Sequence, residues 1–468
     1  MTGLFRKKII LHGDDQPVEE RMARTLSWPH LVALGVGAIV GTGILTLIGV
    51  GADRAGPAVL LSFAIAGAIC ACAALCYAEM ATMIPASGSA YTYSYVALGE
   101  VIAWVIGWSL ILEYSLVVST VAVGWSGYAS ELLKPLGFPV ELTHGPELGG
   151  LINLPAIAII AVVAGLLMLG TRESATLNAV LVAVKLVALA VFVAVALPYF
   201  DGAHLHPFMP FGFGKSLSPD GTERGVMAAA AIIFFAFYGF DAISTAAEET
   251  KNPGRDLAIG IIGSMVACVM IYMGVAVAAV GALRFTAFAD SPEPLALILR
   301  EIGRPGFATF LAASAVIALP TVLLGFLFGQ SRIFFVMARD GLLPASLAKV
   351  SRRGTPVRIT ILTAVLVAII AGVMPIDAIA ALANAGTLAA FIAVCVAMLV
   401  MRRRAPDRPR TFRVPLAPLV GTIGVAGCLY LFASLPSKTQ AYFALWNVAG
   451  LAVYFLWGRR RAGAALAE

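Results

Sequence analysis

Four glycines fall within nine residues in the run Gly35-Val36-Gly37-Ala38-Ile39-Val40-Gly41-Thr42-Gly43-Ile44. Each weakens a helix by about 1 kcal/mol against alanine. Two readings fit. Gly37 and Gly41 form a small-xxx-small pair that lets helices pack closely. Alternatively the helix is unwound here, and the half-helix that follows aims free amides and its positive dipole end at a carboxylate. A second run decides between them. Phe234-Phe235-Ala236-Phe237-Tyr238-Gly239-Phe240-Asp241 places a glycine and an acid in the middle of another apolar segment, which a plain helix would avoid. Carbonyls freed there accept hydrogen bonds from an ammonium. Carboxylate donors at one break and ammonium acceptors at the other describe an α-amino acid.

Charges inside apolar segments are costly, so each is a functional candidate. Lys185 sits about ten residues from either end of its segment, too far to snorkel. Desolvation penalises its charged form. It is expected either to exchange a proton or to stand as a fixed structural charge. Glu113, midway through the third segment, either braces the bundle or serves the ligand cavity as a wall or proton carrier. Asp241 follows Gly239, where capping of the unwound turn and gating fit equally. Glu79 is expected to pair with a basic inner-loop residue, and Glu248 and Glu249 to be solvated or gate-forming at the membrane edge. Phe235, Phe237 and Tyr238 are core candidates by type, but their place beside the break makes one of them a lid over the ligand.

The elements that must hold these groups follow from composition. Of 468 residues, 60% are hydrophobic and 12% charged, with a mean hydropathy of +0.92. A soluble domain carries about 25% charged residues. This excludes a disordered chain, a disulfide scaffold and an ordinary soluble enzyme. Apolar runs of roughly 20 residues match the length of a membrane-crossing helix. Lipid requires internal backbone bonding, and the period-2 pattern of a barrel is absent. The expected fold is therefore all-α, with twelve transmembrane helices near residues 28–51, 57–84, 97–128, 153–170, 176–200, 225–248, 257–282, 305–331, 357–374, 377–401, 414–435 and 439–457. The first segment follows a polar stretch without a cleavage site and is not read as a signal peptide. Interruptions in segments one and six, the corresponding members of two five-helix halves, point to an inverted-repeat transporter with its site at the midplane. The expected organisation is an N-terminal cytoplasmic segment 1–27, a transport core 28–401, a basic loop 402–413, helices 11 and 12 over 414–457, and a tail 458–468. Most of the 32 Lys and Arg fall in segments that are inside if the N-terminus is inside, so both termini are expected in the cytoplasm and the chain in the inner, cytoplasmic membrane. Arg402, Arg403 and Arg404 also suit anionic lipid heads.

Other chemistries fail on inspection. Gly214-Lys215-Ser216 ends like a phosphate loop, but the glycine needed five positions earlier is Met209. The six cysteines all fall in segments without zinc spacing, and Cys72 and Cys76 read as small packing groups. His12, His30, His144, His204 and His206 lie in loops or at segment ends, so a membrane-embedded enzyme lacks its base. No metal, cofactor or nucleic acid is expected, and the implied partners are an amino acid, protons and lipids. Without an ATP-binding domain, transport must run on an ion gradient or on exchange. An ion channel would need a continuous polar stripe, whereas intramembrane polarity concentrates at two breaks.

The same residues carry a resemblance. GAIVGTGI (37–44), CYAEMATMIPASGSAYTYSY (76–95), WSLILEYS (108–115), GFDAISTAAEETKNP (239–253) and RDGLLP (339–344) resemble the amino acid–polyamine–organocation superfamily, closest to bacterial members of the cationic amino acid transporter family. Ala258 departs from the family's proline, which bears only on the start of the seventh helix. The resemblance implies an amino acid permease carrying cationic or small neutral substrates. It implies that Lys185 stands where sodium-coupled relatives bind their ion and would replace that cation, and that Glu113 matters for transport. Ile39, Gly41, Thr42 and Gly43 would hold the carboxylate, mainly through backbone. Phe235, Ala236 and Tyr238 would supply carbonyls or walls near the ammonium, with Phe235 the favoured lid. Thr321 and Phe326 would face the cavity, and the bulk of Phe326 would shrink its side-chain end.

Overall fold

The computed structural model describes residues 6–7, 26–86, 88–169, 175–247, 250–344 and 357–458. Glu248, Glu249, most of segment 1–27 and the tail after residue 458 lie outside the described residues. In chain order the helices are α1 (Trp28–Ile39), α2 (Thr42–Leu45), α3 (Leu47–Ala55), α4 (Val59–Met83), α5 (Ser89–Ala97), α6 (Glu100–Leu133), α7 (Leu154–Leu169), α8 (Ala175–Ala196), α9 (Val226–Ile233), α10 (Asp241–Thr245), α11 (Pro253–Ala282), α12 (Pro294–Glu301), α13 (Pro305–Ala318), α14 (Pro320–Arg339), α15 (Val357–Val373), α16 (Ile376–Arg404), α17 (Ala417–Ser434) and α18 (Ser437–Val453). The sheet content of the described residues is one short hairpin, β1 (Ser216–Leu217) with β2 (Glu223–Arg224).

Eight helical stretches among the described residues are long and apolar enough to cross a membrane, and the shorter helices Trp28–Ile39, Leu154–Met168 and Val357–Val373 are apolar as well. This is the architecture of a polytopic membrane protein. The eight long stretches are fewer than the twelve expected spans, and two of the expected spans fall outside the eight for a physical reason. The first expected span is divided among α1, α2 and α3, and α18 carries Ser437, Lys438, Gln440 and Asn447 within only 17 residues. Val162 on α7, Val187 on α8, Ile317 on α13, Leu362 on α15 and Leu445 on α18 are each more than half exposed, a surface suited to lipid tails rather than water. By contrast α9 is buried at every residue, as a helix apolar all round must be. Ala258 lies inside the continuous helix α11, which takes its early proline from Pro253 at its start.

Polar clamps fix the ends of the bundle. Glu79, near the end of α4, accepts both 2.6 Å bonds from Arg402, a 3.2 Å bond from Arg410 and a 2.8 Å bond from the Val414 amide. This ties α4 to the basic segment after α16. Glu79 and the Arg410 side chain are 1% and 2% exposed. Glu79→Ala is expected to cost about 3–5 kcal/mol, because it leaves a buried guanidinium without its carboxylate. Thermal unfolding in detergent checks this, and an unchanged midpoint would show that the clamp contributes nothing. On α6, Trp108 donates to the Trp446 carbonyl and Trp446 donates back to the Trp108 carbonyl, at 2.9 and 3.0 Å, with the rings stacked 4.8 Å apart. That pairing docks α18 on α6. Arg54, at the end of α3, bonds Asp377 at the start of α16 at 3.1 Å and the Glu223 carbonyl at 2.8 Å. The second half of the interrupted first helix is thereby anchored to α16 and the hairpin.

Candidate functional site

The first interruption lies between α1 and α2. Val40 is extended (φ −74°, ψ 98°) and Gly41 more so (φ −151°, ψ −146°). Val40 N still reaches Val36 O at 2.8 Å, and the ladder resumes with Leu45 N to Gly41 O at 3.3 Å. The amides of residues 41–44 lie between these two bonds. The carbonyls on the near side are taken by side chains from distant helices. Lys185 Nζ on α8 donates to Gly37 O at 2.9 Å and Val40 O at 3.2 Å, and Tyr272 on α11 donates its hydroxyl to Ile39 O at 2.7 Å. Lys185 is 4% exposed. Gly37 and Val40 carbonyls would serve Gly41 and Ile44 amides in an unbroken helix, so the ammonium stands in for the bonds that the break removes.

The second interruption lies between α9 and α10. A tight turn over Phe234–Ala236 ends α9, and Gly239 takes φ +119°, a conformation that L side chains rarely adopt. Asn384 Nδ2 on α16 donates to Ala231 O and Ile232 O, both at 2.8 Å. Asp241 caps the turn: Oδ1 accepts from the Gly239 amide at 3.0 Å and Oδ2 from the Tyr114 hydroxyl at 3.0 Å. The two breaks touch back to back. A Cβ on Gly43 would sit 2.4 Å from Ala236 Cα, and one on Gly239 would sit 2.9 Å from the Ala38 carbonyl carbon.

Between them lies a small cavity of about 10 Å³, room for about one water. The first helix lines it with Ala38, Ile39, Gly41, Thr42 and Gly43, α6 with Val117 and Val121, the second break with Phe235 and Tyr238, and α14 with Val322 and Phe326. Tyr238 packs edge-on against Phe235 (4.8 Å) and Phe326 (6.3 Å). Two hydroxyls in this lining, Thr42 Oγ1 and Tyr238 Oη, are buried and have no hydrogen-bond partner among the described residues.

The structure thus gathers Ile39, Gly41, Thr42, Gly43, Phe235, Tyr238 and Phe326 around one space. Ala236 lies behind it, pressed on Gly43, and the Thr321 hydroxyl turns back to Ala318 O at 2.7 Å while its neighbour Val322 lines the cavity. Glu113 is outside the lining. It is 1% exposed, faces Gly386 on α16, and neither carboxyl oxygen has a hydrogen-bond partner among the described residues. Val117, Val121, Val322, Tyr272 and Asn384 carry no charge or glycine to draw notice in a sequence. One signal exists for two of them: residues 113, 117 and 121 repeat at four-residue spacing on one helix face.

An amino acid permease family model matches residues 26–457. The branched-chain amino acid permease BcaP of Bacillus subtilis is 43% identical over 449 residues, covering 94% of each chain. The methylthioribose transporter of the same organism is 41% identical over 466 residues, covering 98% of this chain and 99% of the relative. The vacuolar cationic amino acid transporter 2 of Arabidopsis thaliana is 38% identical over 414 residues, covering 87% of this chain and 64% of the relative.

Proposed function

The chain belongs to the amino acid permease family, and on that premise we propose that it is a secondary active, proton-coupled permease for small neutral L-amino acids, working by alternating access in the cytoplasmic membrane. The proposal includes twelve spans in a five-plus-five inverted repeat, the domain boundaries given above, and both termini in the cytoplasm. Interrupted helices in the first and sixth positions and the bias of basic residues support it.

The observation that carries the reading is the pair of breaks lining one small cavity, which must widen to admit an amino acid. In the proposed pose the amides of residues 41–44 and the Thr42 hydroxyl take the carboxylate, and carbonyls of the second break take the ammonium. The substrate side chain then meets Val117, Val121, Val322 and Phe326. Among the described residues, no charged side chain lines the cavity. Asp241 is committed to Gly239 and Tyr114, so a cationic side chain would have only Glu113 within one turn of Val117 to answer it. This favours neutral substrates over cationic ones, and the branched-chain permease among the relatives agrees.

The test is uptake by proteoliposomes of labelled alanine or leucine under an inward proton gradient, with all twenty amino acids as competitors. Small neutral amino acids are expected to compete, and arginine and lysine to fail. Uptake only against an internal amino acid would make the protein an exchanger, and ion conductance without uptake a channel. Competition by methylthioribose but by no amino acid would replace the amino acid reading. In the same assay Phe326→Ser is expected to lengthen the cavity and to admit larger substrates such as arginine at the expense of alanine. An unchanged competition profile with normal expression would remove Phe326 from the wall that selects substrate.

A further inference from the structure

Among the described residues, the cavity lining includes one polar side chain that the pose above does not use. Thr42 Oγ1 sits beside the amides of the first break and has the carboxylate to serve. Tyr238 belongs to the opposite wall, with its ring packed against Phe235 and Phe326. The residue is 2% exposed, and its hydroxyl has no partner among the described residues. A buried hydroxyl without a partner costs free energy that a hydrogen-bonding ligand returns. Phenylalanine would fill the same volume against the same two rings without that cost. The hydroxyl is therefore an ill fit to a cavity serving purely aliphatic side chains, and a good fit to a ligand that brings an oxygen of its own.

We propose that Tyr238 Oη reads a side-chain hydroxyl, so that the preferred substrate class is the β-hydroxy neutral amino acids, with threonine the best fit. The inference rests on the amino acid reading above and sharpens it. The remaining walls are valine and phenylalanine, which suit the methyl branch of threonine. The phenol both donates and accepts, so it pairs with a hydroxyl in either direction. A site that hydrogen-bonds a ligand hydroxyl rejects the isostere lacking it, because its own polar group is then left unpaired. Asp241 is occupied by its two hydrogen bonds, and Glu113 lies outside the lining.

Threonine and valine differ by a hydroxyl against a methyl at nearly equal shape, so their ratio isolates this one contact. In purified wild-type protein, competition against labelled alanine is expected to give threonine about tenfold tighter binding than valine. Tyr238→Phe is expected to bring that ratio to about one. Equal binding of the two in wild type overturns the proposal whether or not the variant folds. A tenfold preference that survives Tyr238→Phe also overturns it, and assigns the reading of the hydroxyl to another group. A variant that loses both substrates equally, at unchanged thermal stability, overturns it in favour of a pairing between Tyr238 and Glu113. Absence of binding by any of the twenty amino acids is a separate result, which sinks the permease reading itself.

Discussion

Gly43→Ala is expected to lower transport by up to about a hundredfold while the protein still inserts in the membrane. From sequence alone the argument for this glycine is ligand access, since a side chain would bar a carboxylate from bare backbone. The structure supplies a stronger one. A Cβ at residue 43 would lie 2.4 Å from Ala236 Cα, 2.6 Å from Ala236 Cβ and 3.0 Å from Ala236 N. Two of these three atoms are backbone, so no rotamer change relieves the clash. The two interrupted helices must separate, and the amides and carbonyls that frame the cavity separate with them. Overpacking of this kind costs about 1–3 kcal/mol, occasionally more, and about 3 kcal/mol is roughly a hundredfold in an equilibrium. Gly41 is the internal control. A Cβ there meets Val322 Cγ2 at 3.4 Å, an ordinary contact, and its φ of −151° is open to any residue. Gly41→Ala is therefore expected to reduce transport far less, chiefly by narrowing the cavity. Uptake kinetics with equal amounts of each purified variant decide the matter. Near-wild-type transport by Gly43→Ala would mean that the contact between the breaks plays no part in the cycle.

The two glycines show what a sequence can and cannot give up. Interruption of the helices is legible because glycine density and a mid-segment acid act locally. The partners that make an interruption tolerable are not legible, because they arrive from far along the chain. Lys185 is 148 residues from the Gly37 carbonyl it bonds, and Asn384 is 153 from Ala231. Nothing in the local pattern around either residue names its acceptor. Val117 and Val121 are silent for another reason. A cavity for an apolar side chain is lined by the same residue types as the core, so only the helix period that links them to Glu113 sets them apart. Thr321 and Val322 differ by one position, which is 100° around a helix, and a family pattern carries no such angular precision. The apolar segments were plain from composition, but their number depends on where breaks and polar residues divide them. For the first expected span that division is the interruption that separates α1, α2 and α3.

Lys185→Arg is expected to retain folding and substrate binding and yet to lose accumulation driven by a proton gradient. The ammonium of Lys185 bridges the Gly37 and Val40 carbonyls across the first break, in a setting where it is 4% exposed. An ammonium presents three donors and a full charge, whereas the neutral amine keeps fewer donors and no charge. Its proton therefore strengthens the hold on the broken helix, and loss of the proton loosens it. If one state of the break favours one access arrangement, protonation biases the equilibrium by its differential affinity for the two. Arginine keeps the charge and the donors but does not deprotonate in proteins, so it preserves the brace and removes the switch. Lys185→Ala removes both. It leaves two buried carbonyls without this donor, at about 1–3 kcal/mol each, and is expected to lower the unfolding midpoint as well as abolish stimulation by an inward proton gradient. Sodium is expected to add nothing to wild-type uptake at fixed pH and membrane potential, because the lysine already supplies the positive charge at this position. The arginine variant is decisive when it still exchanges substrate without a gradient, since a purely structural lysine then predicts gradient-driven accumulation as well. If Lys185→Arg still concentrates substrate when a proton gradient is imposed, the proton is carried elsewhere. Glu113, buried with both oxygens lacking a hydrogen-bond partner among the described residues, is then the next group to replace.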